Sequence, residues 1–163
     1  MRKLILICLI YMAFSARSVS ERGVKLIKEF EGCKLKAYYD SVGVITIGYG
    51  TTNSDKSITG KTITKGMTIS QATADKWLKE SLNKKYAPKV NKYDGKYHWT
   101  QNEFDALISF AYNIGSIDEL TANGSRSKQV IANKIPLYCH AKGKKLAGLE
   151  RRRKAERALF LKK

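Results

Sequence analysis

Acidic residues are scarce in this chain of 163 residues, which has 14 Asp and Glu against 31 Lys and Arg and a formal net charge of +17. Such a surface favours polyanionic partners, and nucleic acid, anionic lipid and the acidic bacterial wall all qualify. No nucleic-acid-binding motif is present, and the basic residues are not interleaved with aromatics, so specific nucleic-acid recognition is not indicated. Charge alone does not choose between lipid and wall.

Cysteine is also scarce, and Cys8, Cys33 and Cys139 have no paired metal-ligand spacing. This excludes the common cysteine-based zinc motifs, and we expect buried or free thiols. If the chain is exported and Cys8 is removed with a leader, Cys33 and Cys139 could instead pair as a disulfide. The sequence does not decide between these states.

No apolar run reaches the roughly 20 residues that a membrane-spanning helix needs. The longest run, Leu4 to Phe14, follows two basic residues and precedes several small ones. That order is typical of a secretory signal, so we expect residues 1–18 to be signal-like. The alternative is a hydrophobic N-terminal helix that stays attached to the protein.

The remaining residues, 19–163, suit one domain with a substantial core, because 43% of the chain is apolar. We find no internal repeat and no low-complexity segment. Helical spacing follows Ser20, a plausible N-cap, and Gly32 can end this first helix. Glu31 then lies at the helix C-terminus, where the helix dipole disfavours an ionised carboxylate. A lone glutamate is most often simply exposed to solvent. The residues that follow Glu31 make that interpretation less favoured here.

An alternating pattern runs from Lys36 to Gly50 and predicts a short hairpin or small sheet that bends at its glycines. Asp40 falls in a turn of this segment, where an aspartate often serves only the turn itself. Thr46 falls on a strand, with Val42 and Val44 predicted on its face. Residues 54–65 are interpreted as a third strand or a loop.

Helical patterns dominate the rest of the chain. A helix is predicted from a capping box at Thr68, with Ser70 as the rival cap, to about Tyr86, with a break near Pro88. A second capping box at Thr100 opens a helix with apolar residues on both sides, which predicts a buried central helix. The remaining predictions are loops at 89–98 and 116–127, short helices at 128–139, a basic glycine-punctuated segment at 140–148 and a final basic helix.

Two carboxyl groups on different local structures are what glycoside hydrolysis requires. One must carry a proton for the leaving oxygen, and the other must be ionised to activate water or stabilise positive charge. Glu31 at a helix end suits the acid, Asp40 in a polar turn suits the anion, and the Thr46 hydroxyl could hold the water. A Glu–Asp pair at this spacing is weak evidence by itself.

Longer motifs make the argument specific. The triad Glu31, Asp40 and Thr46 lies within EGCKLKAYYDSVGVITIGYGTT, which resembles the active-site hairpin of the phage-type lysozymes. The segments QNEFDALISFAYNIG and GLERRRKAERALF resemble the central and C-terminal helices of that family. The resemblance runs from about residue 20 to 161, nearly the whole chain past the leader.

The resemblance implies an α+β, two-lobed lysozyme fold. It places a small β-hairpin lobe at about 19–67, a linking helix at about 68–87 and a larger helical lobe at about 88–163, with the substrate cleft between the lobes. It implies a muramidase that needs no metal or organic cofactor, and we expect the protein to be a monomer. The substrate would be the β-1,4 bond between N-acetylmuramic acid and N-acetylglucosamine in bacterial peptidoglycan, so the protein would act at the cell wall after export or release to the periplasm or extracellular space.

The family pattern also implies roles for the catalytic and neighbouring residues. Glu31 would be the acid, and Asp40 and Thr46 would position the water for an inverting reaction. Arg152 is the best match to an arginine that pairs with the catalytic glutamate, and Asn113 matches an amide at the lip of the cleft. From the residues alone, we expect at least two of the three arginines at 151–153 to form a solvated basic face.

The sequence departs from the family pattern at Thr51, where many relatives have histidine, and at Tyr138, where tryptophan is common. The region 125–140 is also shorter than usual, so the family pattern does not fix the contacts to sugar in the helical lobe. Two alternatives remain: a lytic transglycosylase, against which Asp40 and Thr46 argue, and a cationic protein that acts on membranes or binds polyanions.

Overall fold

The computed structural model describes residues 16–163, and most of the predicted leader, residues 1–15, lies outside this range. The first helix, α1, spans Glu21–Phe30 and buries Val24, Leu26 and Ile27. Ser20 is its N-cap as predicted, but the serine hydroxyl does not cap the helix. It donates instead to the carboxylate of Asp105, which also accepts the Ser20 N–H at 2.9 Å. This end of α1 is therefore fastened to a distant helix.

Three antiparallel strands follow α1: β1 at Lys34–Tyr39, β2 at Ile45–Gly48 and β3 at Thr51–Thr52, in the order β1-β2-β3. The predicted sheet is confirmed, but it is shorter than the alternating pattern. Val42 and Val44 lie in the β1–β2 turn, with 80% and 43% of their surfaces exposed, so their placement on a strand face with Thr46 was wrong. A turn residue has no sheet neighbour to cover it, whatever its place in an alternating pattern.

The segment directly after β3 is helical as far as Thr59, which corrects the first part of the prediction of a third strand or loop at 54–65, whereas residues 60–65 form a loop as predicted. A 3-10 turn at Asn53–Asp55 leads into α2 at Lys56–Thr59, which ends at Gly60 with a left-handed φ of 65°. Thr52 and Asp55 form a capping box at the start of the 3-10 turn. Three buried side chains form a small core under the sheet: Ile47, Ile63 and Trp77.

The linking helix begins at α3, Gln71–Ser81, and continues through a π turn, Leu82–Tyr86, into α4 at Ala87–Asn91. Ser70 caps α3 by accepting the Thr73 N–H at 3.1 Å, so the choice of Thr68 was wrong. Thr68 instead forms an isolated bridge with Lys36 of β1. The predicted break near Pro88 is replaced by the π turn, which shifts the hydrogen-bond ladder just before the residue that lacks an N–H.

Short helices occupy two of the predicted loops. The segment 89–98 contains the end of α4 and α5, Asp94–Tyr97, and 116–127 contains α7, Asp118–Thr121. The segment 140–148 contains a two-stranded hairpin, β4 at His140–Ala141 and β5 at Lys144–Lys145. Elements of one turn or two residues carry too little periodicity to be read from sequence.

The central and last helices match their predictions. Helix α6, Gln101–Ile114, starts at the Thr100 capping box and buries nine consecutive residues from Glu103 to Ala111. The short helices α8, Lys128–Lys134, and 3-10 Ile135–Leu137 precede α9, Ala147–Phe160. Helices α1 and α9 pack on α6, so the main core forms around this buried helix.

The predicted α+β architecture is confirmed, with a small sheet and its own small core beside a larger helical core. The exact limits of the two lobes stay a prediction. Within residues 16–163, no helix is both long and apolar enough to cross a membrane. Cys33 and Cys139 are both free thiols in this structure.

Candidate active site

Glu31 is the residue at which the first helix gives way to the sheet. Its backbone is extended, with φ −101° and ψ 133°, while its N–H still donates to the carbonyl of Ile27 at 3.0 Å. The side chain is one-quarter exposed, and Oε1 lies 2.5 Å from Nη1 of Arg152 on α9. Glu31 is therefore accessible to a ligand while held by one cation.

Arg152 is buried, with 3% of its surface exposed, and each of its three nitrogens has a separate partner. Nη1 donates to Glu31, Nη2 donates to the carbonyl of Ser109 at 3.1 Å, and Nε donates to Glu156 at 3.0 Å. The guanidinium also lies over the ring of Phe30, 5.9 Å from its centroid. These contacts fix the orientation of the arginine beside Glu31.

Arg153 is fully buried as well, so the prediction of a mostly solvated basic face was wrong, and only Arg151 of the three arginines is exposed. The Arg153 guanidinium lies over the ring of Phe110 at 4.8 Å and donates through Nη2 to Oδ1 of Asn113. A run of arginines suggests a solvated surface only when no buried carboxylate is available. Here Glu156 of the same helix supplies one, 2.8 Å from Arg153.

Asp40 lies in the β1–β2 turn, where it does the turn chemistry that its position suggested. Oδ1 accepts the N–H groups of Val42 and Val44 at 2.9 and 2.8 Å. The Asp40 N–H also donates to the carbonyl of Val44 at 2.9 Å. The turn bonds use only Oδ1 of the carboxylate, so Oδ2 lies outside them.

Thr46 is on β2, the central strand of the sheet, opposite Tyr38 of β1 and Thr52 of β3. Its side chain is buried, with 4% exposed, and Oγ1 donates to the carbonyl of Val44 at 3.0 Å. A hydroxyl that donates once keeps its capacity to accept a hydrogen bond. Thr46 is thus held rigidly with an acceptor function remaining.

An irregularity in β1 affects where Asp40 lies relative to Glu31. Lys34 pairs with Gly48 and Tyr38 pairs with Thr46, so four steps along β1 match two along β2. Such a bulge bends a strand and increases its twist. The turn that carries Asp40 is therefore not at the end of a straight extended strand leading away from Glu31.

A cavity of about 230 Å³ opens between β3 and the linking helix. Its polar wall includes Asp55, whose Oδ1 pairs with Lys85 at 2.5 Å. Its aromatic wall is the ring pair Tyr86–Tyr112, with centroids 5.1 Å apart. Burial, followed by the nearby charge of Glu31, raises the pKa of Tyr112, so its hydroxyl stays a neutral donor to the carbonyl of Tyr49. The cavity therefore has one polar wall and one aromatic wall.

The chain is similar to several known proteins. The phage lysozyme family model matches residues 28–156. The endolysin of Lactococcus phage c2 is 44% identical over 145 residues, which are 87% of this chain and 59% of that protein. Among solved structures, the endolysin from Escherichia coli O157:H7 phage FAHEc1 aligns at TM-score 0.70 and 38% identity over 89% of this chain and 94% of that one.

The chain belongs to the phage lysozyme family. The muramidase domain of SpmX from Asticaccaulis excentricus is another structural neighbour, with TM-score 0.70 and 32% identity over 90% of this chain and all of that one. The chain spans only about 54–59% of the length of the first curated relatives that it matches. Family membership therefore describes this lysozyme unit and not the whole of those relatives.

Within this phage lysozyme unit, the structure shows what surrounds the two residues that depart from the family pattern, Thr51 and Tyr138. Thr51 lies on β3 in the wall of the cavity. Tyr138 packs edge-on against Phe110, with ring centroids 4.9 Å apart. Tyr138 therefore contributes to the packing of the helical core.

Sequence reasoning missed Glu156, Ser109 and the pair of Asp55 with Lys85. A buried Ser–Glu contact between α6 and α9 has no local signal, because its residues are 47 positions apart. Within the described residues, no cluster of three or more His, Cys, Asp or Glu side chains could hold a metal ion.

Proposed function

We propose that this protein is a muramidase that hydrolyses the β-1,4 bond between N-acetylmuramic acid and N-acetylglucosamine in bacterial peptidoglycan. The observation that carries the proposal is the position of Glu31, partly exposed at a helix end, oriented by Arg152 and followed directly by the hairpin with Asp40 and Thr46. Membership of the phage lysozyme family supports the same activity. So does the likeness to a domain described as a muramidase.

In the proposed reaction, Glu31 donates a proton to the glycosidic oxygen as the bond to the anomeric carbon breaks. Asp40 accepts a proton from a water molecule held with Thr46, and the water oxygen forms the new bond to that carbon from the opposite face. One water is consumed, and the product has inverted configuration and a free reducing end. This mechanism predicts that the carboxyl groups of Glu31 and Asp40 lie roughly 6.5–9.5 Å apart in the enzyme.

The surroundings of Asp40 fit the role of the group that binds the water. Two main-chain N–H groups donate to Oδ1 and hold the carboxyl group in one orientation. The turn bonds leave Oδ2 for water. A lytic transglycosylase needs no second carboxylate of this kind, which is why hydrolysis is the preferred proposal.

The test is digestion of purified peptidoglycan by the parent and by Glu31→Gln and Asp40→Asn, with folding checked by circular dichroism. Glu29→Gln is the matched control, because Glu29 is exposed on the same helix two positions earlier. We expect both active-site variants to lose nearly all activity and the control to keep it. Reducing ends among the products indicate hydrolysis, whereas anhydro sugars would establish the transglycosylase. Cell lysis by all variants alike would establish the cationic, membrane-active alternative.

We also propose that the charge of +17 concentrates the enzyme on the anionic wall, where it acts as a monomer after export or release. Salt screens such attraction, so lysis of whole cells should fall steeply between low and physiological ionic strength. Hydrolysis of a short neutral glycan should fall much less. Equal salt dependence for both substrates would refute the role of charge.

A further inference from the structure

Glu156 is the most completely enclosed acidic side chain near the candidate active site, with none of its surface exposed. Oε1 accepts hydrogen bonds from Ser109 Oγ at 2.7 Å and from Arg152 Nε at 3.0 Å. Oε2 lies 2.8 Å from Nη1 of Arg153. A single carboxylate thus contacts both buried arginines of α9.

The two arginines that contact Glu156 also contact two different residues. Arg152 extends to Glu31, the proposed acid, and Arg153 extends to Asn113, which is exposed at the end of α6. Asn113 is also the residue that the family pattern assigns to the lip of the cleft. Glu156 therefore lies one side chain away from both features.

Charge compensation makes this arrangement depend on Glu156. Two adjacent buried guanidinium groups repel each other, and a buried charge without a partner is costly. Arg153 in particular has few other partners, since its Nε and Nη1 make no hydrogen bond and Nη1 meets Glu156 as a charge contact. Without the carboxylate, nothing in α9 would keep both arginines in these orientations.

We propose that Glu156 is a positioning residue that directs Arg152 at the acid and Arg153 at the lip, and so links catalysis to sugar binding. The inference rests on the proposed function, and Glu156 itself touches no substrate. Its consequence is that loss of the carboxylate affects two kinetic parameters by two routes. The rate constant kcat changes through Arg152, and KM changes through Arg153 and Asn113.

The first experiment measures kcat, KM and the pH–rate profile on a soluble peptidoglycan fragment for Glu156→Gln, Glu156→Asp and the control Glu150→Gln. Glu150 is on the same helix but pairs with the exposed Lys145 and Lys154. We expect Glu156→Gln to lose on the order of 10- to 100-fold in kcat/KM, since displacement of about 1 Å can have that effect. The control should stay within twofold of the parent.

The pH–rate profile separates positioning from loss of structure. The charged groups around Glu156 are Arg152 and Arg153 of α9, with Glu31 reached through Arg152, and Ser109 of α6 is its polar partner. Glu156→Gln leaves a surplus positive charge beside Glu31, so the basic limb of the profile should move to lower pH. Glu156→Asp keeps the charge and should leave that limb unmoved. Identical profiles for parent and both variants would overturn the proposal.

A double-mutant cycle tests the link to the lip. Asn113→Ala should raise KM several-fold in the parent but by less than twofold in the Glu156→Gln background, because Arg153 is already misdirected there. Independent effects would multiply, and that outcome would overturn the link. If Glu156→Gln fails to fold, the same cycle with Glu156→Asp decides, because the shorter side chain retracts from Arg153 while keeping the charge.

A measurement that does not depend on enzyme activity separates failure of this inference from failure of the proposed function. The Nε–H signals of Arg152 and Arg153 should be resolved in nuclear magnetic resonance spectra of the parent, since both guanidinium groups are buried and held. Both signals should shift or broaden in Glu156→Gln and stay unchanged in Glu150→Gln. An inactive parent with this behaviour would refute the muramidase alone, whereas unchanged signals in Glu156→Gln would refute the positioning role.

Discussion

Replacement of Arg152 by methionine should show how much the ion pairs among Glu31, Arg152, Arg153 and Glu156 contribute to the free energy of unfolding. We call these four residues the ion-pair cluster. The substitution keeps an unbranched side chain of similar length but removes the hydrogen bonds to Glu31, Glu156 and Ser109. Breaking a buried pair by removing one partner typically destabilises by about 3–5 kcal/mol. For a chain of this size that corresponds to a fall in Tm of about 6–20 °C.

The stability lost in Arg152→Met should depend on pH, and the environment of Glu156 determines whether the loss grows or shrinks as the pH falls. Burial is the largest influence on Glu156 and raises its pKa above the ordinary 4.5, against the opposing effects of Arg153, Ser109 and Arg152. A group whose pKa is raised in the folded state contributes stability at low pH, and that contribution is lost as the pH rises through the folded-state value. Without Arg152 the folded-state pKa rises further. The destabilisation by Arg152→Met should therefore be largest at neutral pH and smaller toward pH 4.5.

The assay is thermal and guanidinium unfolding followed by circular dichroism, with Arg151→Met as the matched control. Arg151 is the adjacent residue and is exposed, so its replacement should change the free energy of unfolding by no more than about 0.5 kcal/mol. Equal losses for the two variants would refute the reasoning. So would a loss for Arg152→Met that grows as the pH is lowered.

Four further substitutions test local packing and capping, each by guanidinium unfolding. Gly23→Ala should destabilise by about 1–3 kcal/mol despite alanine's helix propensity, because its Cβ would lie 2.8 Å from the carboxylate of Asp105; a stabilised variant would contradict this. Ser70→Ala should cost about 1 kcal/mol and Thr68→Ala less than about 0.5 kcal/mol, and the reverse order would refute the assignment of the cap. Tyr112→Phe should cost about 1 kcal/mol through the lost bond to a main-chain carbonyl, and no loss would mean that water replaces that bond.

The parts of the fold that sequence predicts are those with local chemical signals. The capping box at Thr100 fixes the start of α6, and Gly115, with a φ of 106°, fixes its end. Ser20 was correctly identified as the cap position of α1, although its hydroxyl bonds elsewhere. Caps and periodicity are properties of neighbouring residues, so they survive in the sequence.

The errors arise where distant residues override a local pattern. Thr68 and Gln71 have the spacing of a capping box, but pairing of Thr68 with the sheet leaves the cap to Ser70. Arg153 belongs to a basic run, but Glu156 and the ring of Phe110 make a buried site for it. Glu156 is only three positions from Arg153, but the ring of Phe110 that covers Arg153 and the strand that pairs with Thr68 are distant in sequence.

The candidate active site divides in the same way. Spacing and resemblance together selected Glu31, Asp40 and Thr46. These residues are close in sequence, since Glu31 is at the end of α1 and the other two are in the hairpin that follows. The aromatic pair Tyr86–Tyr112 and the buried carboxylate of the cluster are contributed by helices that meet only in the folded protein. The sequence motifs did not predict these contacts, because they form between residues that are far apart in the chain.

The ion pair between Glu31 and Arg152 joins residues 121 positions apart. During synthesis on the ribosome, α1 emerges long before α6 and α9, the helices that cover its apolar face. Until then Val24, Leu26 and Ile27 lack the cover that α6 and α9 provide, which favours chaperone binding or aggregation of the nascent chain. A pulse of partly made chains should accordingly be inactive and sensitive to protease until α9 has left the ribosomal tunnel.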